Sequence, residues 1–210
     1  MIQATKILIL APHTDDGELG CGGSIARLLE EKNDVHYVAF STCSESLPKG
    51  LHKDTLKREL KAATKNIGIN PKNLIILDYT VRKLNYVRQE ILEDLVKIRT
   101  EINPDIVFIP SSNDVHQDHQ TISTEGLRAF KTKTILGYEL PWNTITFHAQ
   151  HFIKLEKRHV EAKVKALSKY ESQANRDYFN KDFLIGWSKM RGTQIGAEYA
   201  EAFEVIRWVI

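Results

Sequence analysis

Ile7-Leu8-Ile9-Leu10-Ala11-Pro12-His13-Thr14-Asp15-Asp16-Gly17-Glu18-Leu19-Gly20-Cys21-Gly22-Gly23 carries an apolar, strand-like run straight into a histidine, two carboxylates and a group of glycines. The carboxyl ends of strands are where open α/β proteins collect their ligands and chemistry. A second cluster lies far downstream, where Ile106-Val107-Phe108-Ile109 passes through Pro110 to His116-Gln117-Asp118-His119. Two strand ends thus offer complementary metal ligands.

Further apolar runs at 35–41, 74–77 and 134–138 are separated by helix-length segments. This β-α-β-α alternation predicts a three-layer α/β/α, Rossmann-like domain with a mostly parallel sheet. Leu84, Val87, Ile91, Leu92, Leu95, Ile98 and Ile102 recur at helical spacing, as do Leu56, Leu60, Ala63 and Ile67, so both helices are expected to pack on the sheet. Gly68 with Pro71, and Asn103-Pro104, supply their stops. After the first motif, a helix is expected from Ser24 to Glu31, started close to its strand by the glycines and with backbone N–H groups facing the pocket. Past Tyr138 the pattern is less regular. A long charged helix is expected from Leu155 to Ser172, and 202–209 reads as a closing strand.

The chain has 210 residues, 42% of them apolar and 27% charged, with a net charge of +2. Those values fit one soluble domain spanning residues 1–210. Both signs of charge are interspersed, which argues against a nucleic-acid surface and points to a small-molecule partner, with homo-oligomerisation left open. No apolar run is long enough to span a bilayer, and Met1 leads through polar residues rather than a leader, so a cytoplasmic protein without membrane insertion is expected. Cys21 and Cys43 are expected to be reduced and buried near the strand ends.

His13 and Asp16, three residues apart, can reach one ion from a tight turn or the first turn of a helix, leaving Asp15 free in the cavity. His119 can supply a third ligand. Two imidazoles and a carboxylate suit a catalytic Zn2+, which keeps its fourth position open. Each element also has an ordinary reading: His-x-x-Asp is commonly a capped turn, and His-x-x-His is common by chance. The glycines invite a dinucleotide-binding reading as well, but the last glycine of that fingerprint is absent and the run begins too far from its strand. His36, His52, His148, His151 and His159 lack such context and read as surface or packing residues, with His148 and His151 near enough to the irregular region to border the pocket.

Taken together, the His13-Thr14-Asp15-Asp16-Gly17-Glu18 and Gly20-Cys21-Gly22-Gly23 segments, the His116-Gln117-Asp118-His119 segment and the closing Tyr199-Ala200-Glu201-Ala202-Phe203 resemble the PIG-L/LmbE-like zinc-dependent N-deacetylase family along nearly the whole chain. The resemblance implies His13, Asp16 and His119 as zinc ligands and Asp15 as general base. It implies His116 as the group that stabilises or protonates the tetrahedral intermediate, with Asp118 orienting a histidine. Its implied substrate is an N-acetylated amino sugar or sugar conjugate of the N-acetylglucosamine type. Thr14 and Gln117 stand where the family has prolines and Gly17 where it has glutamate, substitutions expected to loosen the turn. The arginine often carried by the family's second helix has no matching position; Arg58 lies nearest.

In such a hydrolysis Asp15 would take a proton from water and pass one to the leaving amine, and His116, as a cation, would hydrogen-bond the oxyanion. Trp142 reads as packing or as a sugar platform. The Lys154, Lys157, Arg158, Lys163, Lys165 and Lys169 series reads as a solvated helix face, and Arg191 as a loop cation. A metal phosphoesterase would need more ligands than are present. A non-catalytic sugar- or nucleotide-binding module on the same scaffold would have no use for Asp15 and His116 together.

Overall fold

The computed structural model describes residues 5–210; Met1–Ala4, on which the leaderless reading partly rests, lie outside the described residues. Strands β1 (Lys6–Ala11), β2 (Asp34–Ala39), β3 (Leu74–Ile76), β4 (Ile106–Pro110), β5 (Thr134–Tyr138), β6 (His151–Leu155) and β7 (Tyr199–Arg207) form a sheet of order β3-β2-β1-β4-β5-β7-β6. The first five are parallel, while β7 runs antiparallel to β5 and β6 antiparallel to β7. Strand order reverses at β1, which pairs with β2 on one side and β4 on the other. A crevice opens at such a switch point, outside the carboxyl ends of the two strands.

Helices α1 (Asp16–Glu30), α2 (Thr55–Ile67), α3 (Arg88–Ile102), α4 (Gln117–Ala129), α5 (Lys157–Leu167) and α6 (Lys181–Thr193) cover both faces. Alternation along β1 explains the two cores. Ile7 and Ile9 point into a cluster with Leu19 and Ile25 of α1, Leu60 of α2 and Leu184 of α6. Leu8 and Leu10 point into the opposite cluster with Ile91 and Leu95 of α3 and Ile122 of α4. The expected α/β/α layering and mostly parallel sheet are therefore present. Among the described residues, no helix is long and apolar enough to cross a membrane, and both cysteines are buried free thiols.

Three local expectations change. Helix α1 starts at Asp16 rather than Ser24, and its glycines lie inside it, where added side chains would collide with the Tyr138 ring at Gly20 and with Leu155 at Gly23. The helix breaks at Cys21 (φ −145°, ψ 25°) and restarts with the N–H groups of Gly23 and Ser24 donating to the Glu201 carboxylate at 3.0 and 2.7 Å. Those N–H groups therefore face Glu201, not the pocket. The expected charged helix from Leu155 is in fact the end of β6 followed by α5, because Leu155 is held in the sheet opposite Tyr199 and Glu156 opens a capping box with His159. The closing strand begins earlier than expected, at Tyr199.

Two cations also change character. Lys163 is buried rather than solvated: its ammonium donates to Glu201 at 2.7 Å and lies 4.6 Å above the Trp187 ring. Arg191 belongs to α6, not a loop, and its fork closes on Glu139 at 3.0 and 2.5 Å. Truncating one partner of a buried pair leaves an uncompensated charge, so Lys163→Met should lower the free energy of unfolding by about 3–5 kcal/mol. Urea denaturation checks this value.

Candidate active site

Proline 12 ends β1, and Asp15 takes the N-cap position of α1, which turns the chain so that His13, Asp15 and Asp16 stand together at the crevice. His119 arrives from the first turn of α4, whose N-cap is His116. Three atoms converge: His13 Nδ1 and His119 Nε2 lie 3.2 Å apart, and they are 3.1 and 3.2 Å from Asp16 Oδ2. Zinc bonded tetrahedrally at its usual lengths needs donor separations of about 3.3 Å. The outward nitrogens are engaged by carboxylates, His13 Nε2 by Asp118 Oδ2 at 2.9 Å and His119 Nδ1 by Asp114 Oδ2 at 2.7 Å. Such bonds turn the inner lone pairs toward a common centre, so the donor set fits a divalent zinc-like ion.

His13, His116 and His119 also offer a wider set of nitrogens within 4.8 Å of one another. The tighter triangle includes Asp16, whose Oδ2 is further fixed by the His13 N–H at 2.8 Å. His116 has one nitrogen committed: Nδ1 accepts the Asp118 N–H at 3.2 Å. Its Nε2 then carries the proton of a neutral ring.

Charges within the cluster follow from burial and proximity. Burial would lower both ligand histidines, but Asp16 and hydrogen bonds to Asp118 and Asp16 raise His13 to about 9. Asp16, with Asp114, raises His119 to about 10. Burial works against ionisation of Asp16 as well, yet His119 and His13 hold its carboxyl well below the usual range. Asp15, pushed up by burial and by Asp16, sits at about 6. Burial, reinforced by His119 and His13, lowers His116 to about 4. The imidazolium expected at His116 is therefore replaced by a neutral donor.

The turn is not loose. Thr14 is buried and its carbonyl accepts from the Tyr37 and Tyr170 hydroxyls at 3.0 and 2.7 Å. The Gly17 N–H donates to Tyr37 Oη at 3.1 Å, and a side chain at 17 would strike that ring. Glu18 stands behind, 2.5 Å from Tyr37 Oη and 3.2 Å from Tyr170 Oη, and burial raises its carboxyl to about 8.

Above the triad lies a cavity of about 360 Å³ lined by residues including His116, Cys43, Arg82, Trp142, Arg176 and Tyr178. All four motif residues His13, Asp15, Asp16 and His119 line it, with His116, while Asp118 lies behind His13. Trp142 both packs and lines the cavity, stacked on Tyr178 at 3.9 Å between ring centroids. Arg58, Arg191 and the five other histidines do not line it. Sequence reading missed Asp114, Arg82, Arg176 and Tyr178. Only Asp114 left a signal: it precedes His116 by two residues and accepts the His116 N–H at 2.8 Å, an Asx-type turn.

A family model described as PIG-L, GlcNAc-PI de-N-acetylase, matches residues 8–130. The chain is 28% identical over 172 residues to the uncharacterized deacetylase YaiS of Escherichia coli K12, covering 79% of this chain and 90% of that protein. It is 26% identical over 225 aligned positions to diacetylchitobiose deacetylase of Thermococcus kodakarensis, covering 96% and 83%. Among solved structures, N,N'-diacetylchitobiose deacetylase of Pyrococcus horikoshii superposes with a TM-score of 0.82 at 23% identity, covering 97% of this chain and 84% of that one. The 4-carboxy-2-hydroxymuconate hydratase GalB of Pseudomonas putida KT2440 shares the fold at a TM-score of 0.78 and 16% identity, covering 98% of each chain. Similarity at the level of these two structures carries the fold and not the reaction.

A zinc ion held by His13 and His119 would compete with protons there, because neighbouring carboxylates raise both rings. Zinc affinity should therefore rise as pH increases from 6 toward 9, with proton release visible by calorimetry in buffers of different ionisation enthalpy. Asp114→Asn should weaken zinc binding by about 10- to 100-fold by freeing the His119 ring, and competition with a chelator measures the loss.

Proposed function

The chain belongs to the PIG-L, GlcNAc-PI de-N-acetylase family, and from that premise we propose that it is a zinc-dependent hydrolase that removes the acetyl group from an N-acetylated amino sugar or sugar conjugate of the N-acetylglucosamine type. The observation that carries the reading is the donor triangle of His13, Asp16 and His119 with Asp15 beside it, free of any hydrogen bond to another side chain among the described residues. We read residues 1–210 as one deacetylase domain. The Thermococcus and Pyrococcus relatives, diacetylchitobiose deacetylases by name, support an amino-sugar substrate.

In this reading His13, Asp16 and His119 would hold the ion, and zinc bound there would supply Lewis acidity to polarise the acetamide carbonyl and acidify water. Asp15 takes the proton of the attacking water and then delivers a proton to the leaving nitrogen, so acetate and a free amine result. An elevated carboxyl suits both halves of that task. The neutral His116 donates Nε2–H to the developing oxyanion, a role its ring can fill because Nδ1 is turned to the Asp118 N–H. Asp118 and Asp114 orient the ligand rings.

Adjacent carboxylates divide the work, and two isosteric variants separate them. Asp15→Asn should keep its zinc and fold while acetate release falls by about 10² to 10⁴. Asp16→Asn should lose zinc as well as rate, because a neutral amide is a weak ligand. Metal analysis beside acetate release from N-acetylated sugars decides it; loss of zinc from Asp15→Asn, or its near-normal turnover, contradicts the assignment. His116→Ala should cost about 10² to 10³ in turnover with zinc retained, the loss typical for one oxyanion donor, as measured by the same two assays.

A further inference from the structure

The cavity carries two cations that the reaction outlined above does not use. Arg27, Arg88, Arg128, Arg158 and Arg191 each lie against a glutamate carboxylate. Arg58, Arg99 and Arg207 reach backbone carbonyls away from the cavity. Among the described residues, neither Arg82 nor Arg176 forms a salt bridge, and both line the cavity, with Arg176 near enough to Asp15 to favour its ionised form.

Both are held in place. Arg82 has φ of 65°, a left-handed conformation that non-glycine residues seldom adopt, and its N–H donates to Asp118 Oδ2 at 2.6 Å. The carboxylate that orients the His13 ring thus also fixes the backbone from which Arg82 projects. Arg176 lies on a segment pinned at several points. Tyr170 donates to the Thr14 carbonyl, Ser172 donates through N–H and hydroxyl to Glu59 at 2.9 and 2.6 Å, and Tyr178 stacks on Trp142. The Arg176 guanidinium bonds the Tyr178 hydroxyl, at the edge of that aromatic wall. Thr14, also lining the cavity, has a buried hydroxyl with no partner.

From this arrangement we propose that Arg82 and Arg176 form an anion subsite in the cavity lining, selecting an N-acetylated amino sugar whose aglycone or substituent bears a carboxylate or phosphate; the proposal rests on the deacetylase reading. Electrostatics orients such a substrate. Asp15 and Asp16 repel an anion, whereas the Arg82 and Arg176 guanidinium groups in the same lining attract it, so the neutral acetamide is left to face the carboxylates. Guanidinium forks match carboxylate and phosphate oxygens in geometry as well as charge. The stacked Trp142–Tyr178 pair in the same lining offers the sugar an aromatic face.

Three ligands that differ in one group test this: methyl N-acetylglucosaminide, its carboxymethyl counterpart and N-acetylglucosamine 1-phosphate. Acetate release by zinc-loaded protein gives kcat/KM for each, and calorimetry gives Kd on the same preparations. An anionic ligand should be preferred over the neutral one by about 10- to 100-fold in both measures, and Arg82→Gln and Arg176→Gln should each reduce that ratio about tenfold. Whichever anion gains more identifies carboxylate or phosphate as the natural group. Equal binding of all three by the wild type, or a ratio preserved in both variants, overturns the subsite. If Arg176 merely steadied Asp15, its variant would lower kcat on every substrate and leave the ratio intact. Binding preference without acetate release from any ligand would sink the deacetylase reading and leave the subsite standing.

Discussion

Parallel pairing of β1 with β4 is the constraint on which the site depends. Ile7, Leu8 and Ile9 align with Ile106, Val107 and Phe108, so the two strands end side by side. His13 and Asp16 leave one strand end and His119 follows the other. Because β1 is also where strand order reverses, no crossover helix covers this pair of ends, and the crevice stays open. A slip of one residue in that register would turn each strand's inward residues to the other face and separate the ligands. Burial of both strands' side chains on their two faces, all but the first residue of each, is what fixes the register.

Around the triangle, carboxylates and tyrosines convert a polar cluster into an ordered one. Asp118 accepts from the His13 ring and from the Arg82 and Leu84 N–H groups, tying His13 to the loop after β3. Asp114 does the same for His119 and the turn before α4. Tyr37 from β2 and Tyr170 from beyond α5 meet at the Thr14 carbonyl, so two distant elements fix the turn between His13 and Asp16. Gly17 is required there because the Tyr37 ring occupies the space a side chain would need. Substituting the family's Pro and Glu at 14 and 17 therefore exchanges local rigidity for long-range anchoring.

Helix α1 shows a related trade. Its glycines let it lie against Tyr138 and Leu155, at the cost of a break at Cys21. The free N–H groups at the break are taken up by Glu201, and the buried Glu201 charge is balanced by Lys163. The closing strand thereby holds the helix whose first residue is Asp16.

By itself, the sequence determined the alternation that makes the sheet, because period-two and helical patterns are local, and it marked His13, Asp15, Asp16, His116 and His119 because their types and spacings are local too. The tertiary structure decided what distant segments contribute. It turned Lys163 and Arg191 from surface or loop cations into buried partners of Glu201 and Glu139, since burial depends on what packs opposite. It lowered the pKa of His116, through burial and two neighbouring rings that no linear spacing reveals. It also drew Arg82 and Arg176, unremarkable in the chain, into the lining of one cavity. Ligand identity is written in local chemistry, whereas the electrostatic environment of each ligand is a sum over groups that only folding brings within a few ångströms.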